Sequence, residues 1–190
     1  MKLYTFIIVF ILCYIIFIDA RKIIIIRHGE KISDDYIDLN DKGTARAQCL
    51  YKIFNEKSKF GRPQSIYSNK RGNHSHRPYD TVKPLADKLG LQVIEFNKNK
   101  PKKFVKKILN KDNSDTILIS SSKEWIPSLI KAIGYKKPKS KEVDDFNKIW
   151  VIENDNKKGQ GKLMVYEQNL ETCINKYLTF GTTEDTENNE

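Results

Sequence analysis

The sequence predicts an α/β fold: a doubly wound, mostly parallel sheet with helices on both faces, followed by a C-terminal antiparallel hairpin. Three observations lead there. From Lys22 onward, short β-rich segments alternate with segments of helical periodicity, the order that gathers parallel strands into one sheet. The first such segment, Ile23 to Ile26, is an unbroken β-branched run, as a strand covered on both faces requires. After Pro138 the rhythm changes to two strand-like runs joined by the polar stretch Glu153 to Gly161.

In chain order, Asn40 or Asp41 caps a helix expected to run to about Glu56, with Ala45, Cys49, Leu50 and Ile53 on one face. Ser65 to Ser68 is a short strand. Pro78 suits the first turn of a helix whose apolar stripe is Val82, Leu85, Ala86 and Leu89, and Gly90 stops it. Leu91 to Phe96 reads as a strand and Pro101 to Leu109 as a short basic helix, with Phe104, Val105, Ile108 and Leu109 as its buried stripe. Thr116 to Ser120 is β-rich, and a helix from about Trp125 to Ile133 ends at Gly134. Lys148 to Ile152 and Lys162 to Glu167 form the hairpin. No internal repeat occurs, and the acidic, polar segment 181–190 is expected to be a disordered tail.

The first twenty residues are a separate object. An apolar run from Leu3 to Ile18 follows Lys2 and precedes Asp19 and Ala20. As a helix this run would be roughly 24 Å long, short against a hydrocarbon core of about 30 Å. A basic start, an apolar centre and a small residue at Ala20 fit a secretory signal peptide over residues 1–20, with a signal anchor as the alternative. The strand starting at Ile23 would leave an uncleaved anchor almost no chain between bilayer and core. The expectation is therefore a secreted single domain over 21–180. Cys49 and Cys173 are then the remaining thiols, free or paired, in an oxidising compartment.

Composition narrows the class further. Hydrophobic residues make up 39% and charged residues 31% of 190 residues, which argues against a disordered or multi-span membrane protein. Three cysteines are too few for a disulfide scaffold, and no zinc-finger spacing is present. Lys plus Arg exceed Asp plus Glu by 34 to 24, a net charge of +10, so anionic partners are favoured. Lysine clusters at Lys98 to Lys111 and Lys131 to Lys141 lack the interleaved aromatics of a single-strand platform, so they read as solvated faces and no nucleic acid is expected.

Ligands of open α/β sheets collect at the carboxyl ends of strands. The first strand ends in Arg27-His28-Gly29-Glu30-Lys31. Arg27 offers a planar fork for phosphate oxygens, and His28 can attack phosphorus through a ring nitrogen. Ile24 to Glu30 resembles the signature of the histidine phosphatase superfamily, the phosphoglycerate mutase-like fold. Further stretches agree in order: Leu39-x-x-Lys42-Gly43-x-x-Arg46-Ala47, Ile66-Tyr67-Ser68, Arg77-Pro78-Tyr79-Asp80-Thr81 and Thr116 to Ser120 with Ile126-Pro127. The similarity spans roughly residues 22–135, and Phe146 to Tyr166 resembles the end of short secreted members. The resemblance implies phosphate clamping by Arg27 and Arg77, a phosphohistidine at His28, and no metal or organic cofactor. Gly29 and Glu30 would support the pocket.

One position departs from this pattern. The family places a second catalytic histidine near Ser122 or Lys123, and the chain reads Ser120-Ser121-Ser122-Lys123-Glu124-Trp125 there. Ser122 and Lys123 are the available substitutes, as hydroxyl donor and cation. Glu124 is the candidate general acid, with a helix-start acid as its alternative role. His76, next to Arg77, is either a pocket group or part of an exposed loop, and Asn73-His74-Ser75 is a glycosylation sequon. The implied protein is a secreted phosphomonoesterase of reduced activity acting on a small phosphorylated substrate. The alternative is an inactive pseudophosphatase that binds phosphorylated or other anionic ligands.

Overall fold

The computed structural model describes residues 21–33, 35–73, 75–107, 109–154 and 161–184. The expected signal peptide, His74 and residues 185–190 lie outside them. Six strands form one sheet: β1 (Arg21–Arg27), β2 (Ser65–Asn69), β3 (Val93–Phe96), β4 (Thr116–Ser121), β5 (Lys148–Asn154) and β6 (Lys162–Glu167). Their spatial order is β3-β2-β4-β1-β5-β6. The first four run parallel, and β5 joins β1 antiparallel and carries β6 as the expected hairpin.

The continuous apolar run in β1 has a direct cause. Ile24 and Ile26 face one core with Ala45, Leu50, Val82, Leu85 and Ile174. Ile23 and Ile25 face the other with Phe104, Ile126, Leu129 and Trp150. Successive side chains of a strand alternate faces, so a strand buried twice has no polar position to spare.

The first core is roofed by α1 (Asp41–Cys49), α2 (Arg77–Leu89) and α6 (Glu171–Glu184), and the second by α3 (Pro101–Lys107) and α4 (Ile126–Ile133), with Val143 of the short α5 (Ser140–Asp144). Asn40 caps α1 by accepting from the Gly43 amide at 2.8 Å. Pro78 sits in the first turn of α2, and Gly90 ends it in the left-handed region at φ 68°.

Several boundaries differ from expectation. α1 stops at Cys49, and a 3-10 turn over Leu50–Lys52 replaces the predicted continuation to Glu56. β3 excludes Leu91, and α3 gives way to a second 3-10 turn at Leu109–Lys111. Helix α6 was not anticipated, and its last four residues, Gly181–Glu184, correct the disordered tail expected from 181 onward. Leu170 and Ile174 are buried against the first core, and Cys173 is disulfide-bonded to Cys49 of α1. Helical stability from such docking outweighs weak local propensity. Among the described residues, no helix is long and apolar enough to cross a membrane.

Candidate active site

β1 lies between β4 and β5, so its carboxyl end opens at the middle of the sheet edge. Arg27 and His28 leave the strand there, each only 4% exposed. The His28 amide donates to the Ser121 carbonyl of β4 at 3.0 Å. The Gly29 amide donates to Thr81 Oγ1 at 2.8 Å, and that hydroxyl donates back to the Arg77 carbonyl at 2.7 Å. The turn after β1 is thereby fastened to both β4 and α2.

The ring of His28 is oriented by its own turn. Nδ1 lies 2.7 Å from the Gly29 carbonyl oxygen, which can only accept, so Nδ1 carries the proton and Nε2 keeps its lone pair. Burial pushes the imidazole down to about 4, and the charges of Arg27 and Arg77 push the same way against the carbonyl's hydrogen bond. His28 is therefore neutral at physiological pH, with one ring nitrogen available as a nucleophile.

The glycines of the sequence motif have a steric role. A Cβ on Gly29 would come 2.9 Å from the Gly43 carbonyl oxygen, and one on Gly43 would come 2.3 Å from the Glu30 carbonyl oxygen. The turn after β1 rests directly on the first turn of α1. Glu30 reinforces the contact. Its carboxylate accepts from Arg46 at 2.9 and 2.6 Å, and Lys42 lies 3.8 Å away. Burial raises the Glu30 carboxyl, but the Arg46 contact outweighs it and holds the group below its ordinary range. Glu30 thus ties the turn after β1 to α1.

The support continues beyond what the sequence indicated. Arg46 also donates to Gln168 Oε1 at 3.0 Å, and Gln168 Nε2 donates to the Phe146 carbonyl at 2.9 Å. The Phe146 ring lies 3.7 Å from the Arg27 guanidinium carbon and edge-on to His28 at 6.0 Å. Arg46, Gln168 and Phe146 were not identified from sequence, and only Arg46, inside the motif after Leu39, carried a signal.

Arg77 opens α2 and is 8% exposed. Its Nε donates to Ser75 Oγ at 3.2 Å, and its Nη1 to the Tyr36 carbonyl at 2.7 Å and the Ser33 carbonyl at 3.4 Å. Arg27 donates through Nη1 to the carbonyls of Val143, at 3.3 Å, and Asp144. Arg27 is gripped through Nη1, and Arg77 through Nε and Nη1. Burial pushes both downward, and Glu124 is among the charges that hold both up. Two buried guanidiniums flanking a neutral imidazole make a site that favours an anion.

The β4 side is built differently. Asn69 Oδ1, at the end of β2, accepts from Ser121 Oγ at 2.9 Å and from the Ser122 amide at 3.0 Å, fixing where β4 ends. Lys123 extends to Asp144 Oδ1 at 2.9 Å, with both side chains about half exposed. The ammonium is therefore paired at the rim. Burial raises the Glu124 carboxyl, but its own backbone amide, the Ser122 hydroxyl and the charge of Lys123 outweigh this, leaving it below its ordinary range. Glu124 is therefore a carboxylate at physiological pH. His76 is 38% exposed, and its Nδ1 faces Asp38 Oδ1 at 3.5 Å. Asn73 of the sequon is exposed.

No protein-family model matches the sequence, and no curated protein matches it either. Several solved structures are similar in shape, two of them as follows. One is a protein from Escherichia coli K-12 assigned as an alpha-ribazole-5'-P phosphatase, 14% identical, covering 78% of this chain and 96% of its own length at a TM-score of 0.59. The other is a phosphoserine phosphatase variant from Entamoeba histolytica in complex with phosphoserine, 17% identical, covering 78% and 97% at a TM-score of 0.48. The mixed six-stranded sheet, its helices and the first of these likenesses together give the chain the α/β fold of phosphoglycerate mutase-like proteins.

Proposed function

We propose that this chain is a secreted phosphomonoesterase of the histidine phosphatase type, working more slowly than a site with two histidines. The observation that carries the reading is His28: buried, neutral and hydrogen-bonded through Nδ1, beside two guanidiniums. The phosphatase assignment of the Escherichia coli neighbour agrees with it. Secretion is supported by the apolar leader and the Cys49–Cys173 disulfide.

In this reading the free arms of Arg27 and Arg77 hold the phosphoryl oxygens of a small phosphate monoester. An arriving dianion raises the Glu124 carboxyl, which takes up a proton. His28 Nε2 attacks phosphorus, the bond to the ester oxygen breaks, and Glu124 protonates that leaving oxygen. Water then attacks the phosphohistidine, giving its proton to the Glu124 carboxylate and releasing phosphate and free His28. Ser122, in the neighbourhood where the resemblance places a second imidazole, offers one hydroxyl to the equatorial oxygens. Loss of such an electrostatic donor typically costs ~10²–10³ in rate.

The β4 side favours a second reading, an anion-binding module without turnover, because Lys123 is already paired with Asp144. Hydrolysis of a phosphate-monoester panel by the 21–190 chain, beside His28→Ala, separates the two. The enzyme reading expects phosphate release that falls to buffer level in the variant, a loss of ~10³ or more. No release, with phosphate still protecting the protein against heat, would replace the enzyme with the binding module.

A further inference from the structure

A second group of functional side chains lies beside the proposed pocket and takes no part in it. His76 and Asp80 stand four residues apart at the start of α2, the spacing that puts two side chains on one helix face. Asp38 reaches them from the segment before α1. The two segments are joined at the backbone, because the His76 amide donates to the Ile37 carbonyl at 2.9 Å. One ligand atom from each of Asp38, His76 and Asp80 lies within 4.8 Å of the other two. Among the described residues, no other three His, Cys, Asp or Glu side chains gather in this way.

The His76–Asp38 spacing suits a shared metal better than a hydrogen bond. His76 Nδ1 and Asp38 Oδ1 are 3.5 Å apart, beyond the roughly 2.7–3.2 Å of an N–H···O bond. Two ligands about 2.0–2.1 Å from a tetrahedral zinc ion stand roughly 3.4 Å apart. The donor set of one imidazole nitrogen and two carboxylate oxygens also discriminates. Calcium and magnesium take oxygen ligands, whereas zinc-class ions accept nitrogen and oxygen together.

The surrounding charges leave room for a cation. The positive end of α2 opposes one, and the charges of Arg71 and Arg77 reach Asp80 and Asp38, but both guanidiniums are held by other partners. Arg71 is held by Glu95 at 3.1 Å and lies over the Tyr79 ring. Arg77 is turned to the carbonyls of Ser33 and Tyr36. Asp38 is exposed while His76 and Asp80 are half-buried, so the cluster opens to solvent on one side and leaves a coordination position for water.

We propose that Asp38, His76 Nδ1 and Asp80 bind one divalent ion of the zinc class. The ion would clamp the segment of Ser33, Tyr36 and Asp38 to the first turn of α2. Those two segments hold the Arg77 guanidinium between them, so the ion's role is to position Arg77 and not to touch the reacting phosphoryl group.

The test is direct binding, independent of any hydrolytic activity. The chelator-treated 21–190 chain is titrated with Co²⁺, followed by its visible absorption, and then with Zn²⁺ in competition. The expected result is one saturable site from which Zn²⁺ displaces Co²⁺ and excess Ca²⁺ or Mg²⁺ does not. Affinity should fall more than about tenfold in His76→Ala and in Asp38→Asn, and stay unchanged in His74→Ala. Both variants should match the wild-type melting temperature without metal, and lose the rise that Zn²⁺ gives the wild type. Absence of a single saturable site, unchanged affinity in His76→Ala and Asp38→Asn, or loss of binding in His74→Ala would each overturn the assignment.

Discussion

Along the carboxyl edge of the sheet, the half built on β1, α1 and α2 is secured from several sides, whereas the half built on β4 offers little to a reacting group. In the first, His28 is held by Ser121 and Gly29, and Gly29 by Thr81. Glu30 is held by Arg46, and Arg27 lies against Phe146. In the second, β4 ends in Ser122, an ion-paired Lys123 and the carboxylate Glu124. In the proposed phosphatase the difference separates two tasks: binding and attacking a phosphoryl group would need the first half, while stabilising the charge that spreads during transfer would need the second.

The largest effect expected from this contrast is a gain. Ser122→His should restore the missing donor and raise kcat on phosphate monoesters by ~10²–10³, measured by steady-state phosphate release. An unchanged rate would place the deficit elsewhere than β4.

Next comes the packing of the first half. Gly43→Ala forces a methyl toward the Glu30 carbonyl oxygen at 2.3 Å and should destabilise the fold by roughly 3 kcal/mol, with the catalytic turn displaced. Urea unfolding measures the loss.

A comparable but pH-dependent effect follows from His28. Its pKa is about 4 in the fold, against an ordinary 6.5. Between those values the unfolded chain binds a proton that the native state does not, so stability falls as pH drops through this window and levels off below it. The loss should be about 3 kcal/mol and should vanish in His28→Gln when unfolding is compared at pH 7 and pH 4.

The sheet and the turn after β1 were legible in the sequence because their signals are local. Four consecutive isoleucines read as a doubly covered strand, and Asn40, Pro78, Gly90 and Gly134 mark helix ends by their own chemistry. The supporting network was not. Arg46 looks like a surface residue of α1, yet it is buried because Glu30, 16 positions away, and Gln168, 122 positions away, meet it. Helix α6 depends on docking and on Cys49, 124 residues back, and no local pattern encodes that. Lys123 shows the opposite limit. Its place in the sequence suggested a charge for the pocket, and only the position of Asp144 on α5 shows where that charge is held.

As the proposed nucleophile, His28 Nε2 should carry the phosphoryl group during turnover. Acid-free rapid quench of the Ser122→His protein with a reactive phosphate monoester, followed by intact and peptide mass spectrometry, reads that adduct. The expected result is one phosphoryl group on His28, labile to acid and absent from His28→Ala. Phosphate release without any adduct on His28, or an adduct on another residue, would contradict it.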